Sequence, residues 1–211
     1  MLKSTAMNTL WKILKKSTTD LWDEMLYMVL FNLIWFFGTL LILPWPFVTF
    51  ALYYIAIDVA DGKGINWRKF WSYGRQNLKA AYIWGGVNLV ALGLMWFNVV
   101  FYSRYNADWA QILQLFFLSL MAFWLLLQHV AVVLYPRLVE PDYRLALRNA
   151  AILVGKNPVI SLVVMLLLGA LILVSAFFPA LALMMVFSYA AIIIANLVHI
   201  LLKKELAEPE A

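Results

Sequence analysis

The sequence predicts an all-α integral membrane protein: a six-span helical bundle whose second span is short, carrying an N-terminal and two cytoplasmic amphipathic interfacial helices. Three observations carry that reading. Hydrophobic residues make up 65% of the 211-residue chain and charged residues only 13%, which is too apolar for a soluble domain. Nearly charge-free apolar stretches recur at about the 20 residues that a helix needs to cross a hydrocarbon core. The Lys and Arg residues fall in four patches, 3–16, 63–79, 137–156 and 203–204, and of all sixteen only Arg104 lies elsewhere. Cytoplasmic loops collect Lys and Arg because a cationic segment is hard to translocate. Placing all four patches inside puts both termini in the cytoplasm and Arg104 outside.

Residues 1–24 read as an interfacial helix, because Leu10, Trp11, Ile13 and Leu14 interleave with Lys12, Lys15 and Lys16. They are not expected to be a cleavable signal peptide, since the apolar run that follows ends in Pro44-Trp45-Pro46 rather than a small-residue cleavage site. The transmembrane domain then occupies 25–202, with spans at 25–43, 47–60, 80–102, 109–135, 158–178 and 180–202, and a cytoplasmic tail at 203–211. The second span is the short one: its uninterrupted apolar run extends only from Phe47 to Ile57. The charge distribution argues that it crosses, because a segment that dipped and returned would put the two basic loops opposite the N-terminus.

Two cytoplasmic elbows link the spans. In 66–79, Trp67, Phe70, Trp71, Gly74 and Leu78 fall on one helical stripe, with Arg68, Lys69, Arg75 and Lys79 on the other face and Asn66 as N-cap. In 136–157, Tyr143, Leu147, Ala150, Ala151 and Val154 form the stripe, Arg144 and Arg148 make a basic pair one turn apart, and Asp142 is the cap. Arg68 and Arg148, like Asn77 and Asn157, recur at an offset of 80. That spacing suggests a parallel repeat of span, elbow, span.

Polar groups inside the apolar spans are the candidate functional residues, because burying them is costly. They are Asp58, Asn32, Asn88, His129 and His199. Asp58 sits at the C-terminal end of its helix, where the dipole disfavours an anion, so a cationic partner is expected, with Arg68 or Arg75 nearest in sequence. The competing reading is structural: an ion pair pinning the elbow, and Asn and His as interhelical hydrogen-bond glue. Gly85, Gly86, Gly93 and Ala81 predict a small-residue face on the third span. Trp45, Trp109 and Tyr105 outside, and Trp11, Trp22 and Trp67 inside, read as interfacial anchors.

Composition narrows the chemistry. There is no cysteine, hence no disulfide, thiol catalysis or Cys-ligated metal. Two histidines and no clustered carboxylates leave little for another metal, and no cofactor is expected. The chain has no P-loop, nucleophile elbow or HExxH, so no enzyme is expected. A net charge of +5 flanking membrane spans points to anionic lipid headgroups, not to nucleic acid.

Pro46-x-x-Thr49-x-Ala51-Leu52-Tyr53-Tyr54, then Phe70-Trp71 with Gly74-Arg75-x-Asn77-x-Lys79, then Tyr135-Pro136 before a basic helix, resembles the YesL-like family over nearly the whole chain. That family comprises bacterial multi-pass membrane proteins of about this length. The resemblance implies the bacterial cytoplasmic membrane and an accessory role beside a carbohydrate ABC importer. It defines no catalytic residues. Arg68, Arg75, Arg144 and Arg148 are then the candidate partner-docking residues. A stand-alone small-solute binding or transport protein, whose polar residues would converge on one cavity, is the alternative; a structural or lipid-organising protein, or a homo-oligomer, is also compatible.

Overall fold

The computed structural model describes residues 2–207, and every regular element among them is helical. Helix α1 (Leu2–Asp23) turns into α2 (Met25–Leu40), and the two axes meet at 93°. A turn at 41–44 leads to α3 (Trp45–Ala60), followed by α4 (Trp67–Gln76) and α5 (Leu78–Tyr102). Helix α6 (Asp108–Leu134) ends in a 3₁₀ turn, Tyr135–Arg137, before α7 (Tyr143–Lys156) and α8 (Pro158–Phe177). The last long segment is compound: a short α9 (Pro179–Leu181), a π-helical turn (Ala182–Val186) and α10 (Phe187–Ala207).

Four helical segments are long and apolar enough to cross a membrane: Leu78–Tyr102, Asp108–Arg137, Pro158–Phe177 and Pro179–Leu206. A fifth qualifies if the bent α1–α2 pair is one span. Helices α2 and α3 have sixteen residues each, or about 24 Å at 1.5 Å per residue. Length alone thus supports four to five crossings rather than the six predicted. The expected 25–43 span stops at Leu40 because residues 41–44 turn toward Pro44 and Pro46, which seed α3 at its first turn.

The core forms around α3. Thirteen of its sixteen residues are buried, packed against α2, α4, α5, α6 and α10. A helix that is apolar all round has no solvent face to offer and takes the centre. Leu52 of α3 shares one cavity with Leu126 of α6, Leu168 of α8 and Ala190 of α10. Gly85 lets α5 close on α3: a Cβ there would lie 2.4 Å from Cγ of Pro46. Gly86 and Gly93 have nothing within 4 Å of such an atom, so the small-residue face is Ala81 and Gly85, one turn apart, and not the longer row expected.

The elbows take the predicted caps. Asn66 accepts from the Lys69 amide at 2.9 Å and Asp142 from the Leu145 amide at 2.8 Å. Each elbow closes on an asparagine that folds back one turn, Asn77 Nδ2 to the Tyr73 carbonyl and Asn157 Nδ2 to the Leu153 carbonyl. The two span–elbow–span units therefore share a cap and a joint as well as an element order. Their stripes are shifted slightly from expectation: Phe70 and Gly74 are buried in α4, while α7 buries Ala146, Ala150, Leu153 and Val154 and exposes Ala151. Helix α4 is seated against the bundle. Phe70 stacks on Phe31 of α2 at 4.6 Å, and Gly74 admits the ring of Phe47.

In α1, Leu10 and Ile13 are buried while Trp11, Lys12 and Lys15 are exposed, so the helix is amphipathic. Trp11, Trp22, Trp67, Tyr105 and Trp109 are exposed. Trp45 is not a free anchor: its ring packs 5.2 Å from that of Trp84.

Candidate functional site

The last turn of α3 carries two carboxylates three residues apart, Asp58 and Asp61. Both face the disfavoured end of the helix dipole, and Lys, Arg and His side chains gather around them from three other parts of the chain. Asp58, 6% exposed, accepts from Lys69 Nζ at 2.9 Å and from the Tyr73 hydroxyl at 2.6 Å, both on α4. Asp61 meets Arg137 Nη2 at 3.2 Å, His199 Nδ1 at 2.9 Å and Lys63 Nζ at 3.3 Å. Lys63 also stands 3.9 Å from Asp58 and joins the two halves. One network thus ties α3 to α4, to the turn after α6 and to α10.

The expected cationic partner of Asp58 is present, but it is Lys69 and not Arg68 or Arg75. Positions 69, 73 and 77 repeat at helical spacing and face α3, so Lys69 and Tyr73 come inward. Arg68 and Arg75 point away and are exposed. The titration behaviour of the loop groups follows from the same contacts. Burial pushes the Asp61 carboxyl up, but Arg137, the His199 hydrogen bond and Lys63 outweigh it and hold the group below its ordinary value. Burial, then Asp58, raises the Tyr73 phenol, which stays a donor.

The other polar candidates lie elsewhere. Asn32 holds the π-helical turn: its Nδ2 donates to the Ala182 and Leu183 carbonyls at 2.8 and 2.7 Å, and its Oδ1 accepts from the Phe187 and Ser188 amides, each at 2.9 Å. A π turn frees the backbone groups that an α-helix would pair, and one buried amide satisfies four of them. Asn88 donates to the Trp84 carbonyl and to Gln128 Oε1, and accepts from Trp124 Nε1. Gln128 Oε1 also takes the Tyr143 hydroxyl, which links α5, α6 and α7. Burial raises that phenol, opposed by the Gln128 bond. His129 lies against the Tyr53 ring at 5.0 Å. A fourth cluster joins Asn196 to Ser17 and to Asp20, which pairs with Lys16.

Asp58 and His199 therefore meet through Lys63 and Asp61, whereas Asn32, Asn88 and His129 serve separate helix contacts. The five do not converge on one cavity. Among the described residues no group of three or more His, Asp or Glu is placed to hold a metal ion. Sequence reasoning passed over Asp61, Lys69, Tyr73 and Arg137. The signal for the first was there, in two acids one turn apart at a helix C-terminus followed by Lys63. Arg137 had none, because only the fold brings residue 137 to residue 61.

The four candidate docking arginines, Arg68, Arg75, Arg144 and Arg148, are all exposed, and none makes an ion pair or hydrogen bond within the described residues. Lys16, Lys63, Lys69, Arg137 and Lys156, by contrast, are engaged internally. The basic residues thus divide into a set that holds the fold and a set turned outward. No family model, no curated protein and no solved structure matches this chain.

Proposed function

We propose that the chain is a six-span protein of the bacterial cytoplasmic membrane, both termini inside, that acts without catalysis as an accessory subunit docking on a partner through its two basic elbows. The observation that carries the docking reading is the unpaired, exposed set Arg68, Arg75, Arg144 and Arg148 on two helices whose other faces are seated in the bundle. Long cationic side chains left without internal partners suit an anionic surface, of protein or of lipid headgroups. The partner class, subunits of a carbohydrate ABC importer, rests on the YesL-like resemblance. Dispersal of Asn32, Asn88 and His129 into separate helix contacts weighs against the alternative of a stand-alone transporter with a central polar site.

Two experiments test this. The chain has no cysteine, so single replacements report topology cleanly. A membrane-impermeant maleimide applied to intact cells should label Ser103→Cys and spare Gly64→Cys and Gly155→Cys. The reverse pattern would mean that α3 returns without crossing. For function, tagged protein purified in mild detergent from its native host should retain importer subunits in stoichiometric amount. Changing the four arginines to Glu should release them; retention by that variant would sink the docking reading.

A further inference from the structure

A cavity of ≈ 220 Å³ lies between α3, α6, α8 and α10. Its wall includes Leu125 and Leu126 of α6, Met165 and Leu168 of α8, and Ile194 of α10, with Trp35 of α2 at one side. Gly169 contributes no side chain, and a Cβ added there meets nothing within 4 Å. The opening exists because α8 is seated poorly: of its twenty residues only Ile160, Ser161 and Val164 are buried, and all three belong to its first turns. A second cavity, of ≈ 350 Å³, flanks α8 on its α1 side, and Leu171 and Val186 border both. Two polar side chains face the first cavity, Tyr53 and His129, stacked on each other. Neither makes a hydrogen bond among the described residues, and His129 Nδ1 is fully buried without a partner. An orphaned buried polar atom costs about 1–3 kcal/mol. An apolar cavity of about 150 Å³ is already large enough to accept benzene.

We propose that this cavity is a lipid site, holding one acyl chain of a bilayer phospholipid along α6 and α8, with its ester carbonyl turned to Tyr53 and His129. The site rests on the membrane reading above. The chain fills the apolar wall, and the ester oxygen accepts from the Tyr53 hydroxyl, which the protein leaves unpaired, with the His129 ring stacked beside it. Gly169 sets the width, and Asn32 holds the π turn that places Val186 in the wall.

The test is photolabelling of the full chain in phosphatidylethanolamine–phosphatidylglycerol vesicles containing a phospholipid with a diazirine in mid-chain, with adducts mapped by mass spectrometry. Adducts are expected on the cavity faces of 122–129 and 165–172, in addition to the outward residues Leu89, Leu94 and Phe97 of α5. Gly169→Phe, or Ala122→Phe from the opposite wall, should abolish the cavity adducts and leave those on α5, with thermal melting confirming that each variant folds. Tyr53→Phe combined with His129→Phe keeps both rings and should reduce cavity labelling; unchanged labelling would overturn the ester contact. Cavity adducts that are absent, or that survive both filling variants, overturn the site. So does labelling obtained only with a diazirine fatty acid. Absence of adducts on α5 as well would instead refute the membrane reading.

Discussion

Helices α3 and α8 are both apolar, and the fold treats them in opposite ways. Helix α3 is sixteen residues long with thirteen buried; α8 is twenty residues long with three buried. The difference lies in their polar residues. Thr49 receives the Trp35 indole N–H at 2.9 Å, Tyr54 donates to Asn77, and Asp58 anchors α4. Helix α8 offers Ser161 and Ser175, each bonded only to a backbone carbonyl of its own or the preceding helix. Lipid is as apolar as leucine, so apolarity does not drive one membrane helix against another. Packing and hydrogen bonds decide which helix is central.

The sharpest way to break this contrast is at Asp58. Asp58→Ala leaves the half-buried Lys69 ammonium and the Tyr73 hydroxyl without their acceptor. It should lower stability in detergent by about 2–3 kcal/mol, toward the low end for breaking a buried pair because Lys69 keeps some solvent. A double-mutant cycle with Lys69→Met should recover part of that loss. Additive losses would show that the pair contributes nothing of its own.

Next comes Asn32→Ala, which strips four backbone groups of the π turn of their partner. At about 0.6 kcal/mol per hydrogen bond within a membrane bundle, the expected loss is about 2 kcal/mol. Thermal melting in detergent measures it, and a loss within error would mean the π turn relaxes to an ordinary α-helix.

Glycines give a paired test of the two regions. Gly85→Ala drives a methyl into the rigid Pro46 ring beside α3 and should cost about 1–3 kcal/mol, as overpacking does. Gly169→Ala on α8 enters open space and should change stability by less than about 0.5 kcal/mol. Equal melting shifts for the two variants would erase the distinction between centre and periphery.

These particular residues also show what the sequence made legible. The helical character, both elbow caps and the amphipathic face of α1 follow from local chemistry, which a single sequence carries. The centrality of α3 was not legible, because a short apolar run reads alike as a weak span or as a buried core. Of the candidate polar residues, Asp58 was recognised as needing a cation, but choosing Lys69 over Arg68 required knowing which face of α4 meets α3. The 93° bend at Glu24 and the π turn at 182–186 leave no mark in composition. The Asn32 contacts that stabilise the π turn span about 150 positions of sequence.

The smallest expected effect concerns acid, and it tests whether the network at the foot of α3 is held by charge. The folded-state carboxyl of Asp61 titrates below its unfolded value, held there by Arg137, His199 and Lys63 against the opposing effect of burial. A depressed carboxylate contributes stability that is fully present above the unfolded pKa of about 3.9 and is lost as pH falls through the folded value. The melting temperature should therefore begin to fall below about pH 4 more steeply in the parent than in Asp61→Asn, while at neutral pH Asp61→Asn should sit lower. Because Asp61 is partly solvated, the gap should be modest and should narrow as salt is raised. A variant whose acid limb coincides with that of the parent would place the cohesion of this network in Asp58 and Lys69 alone, with Asp61 only screening the cations that surround it.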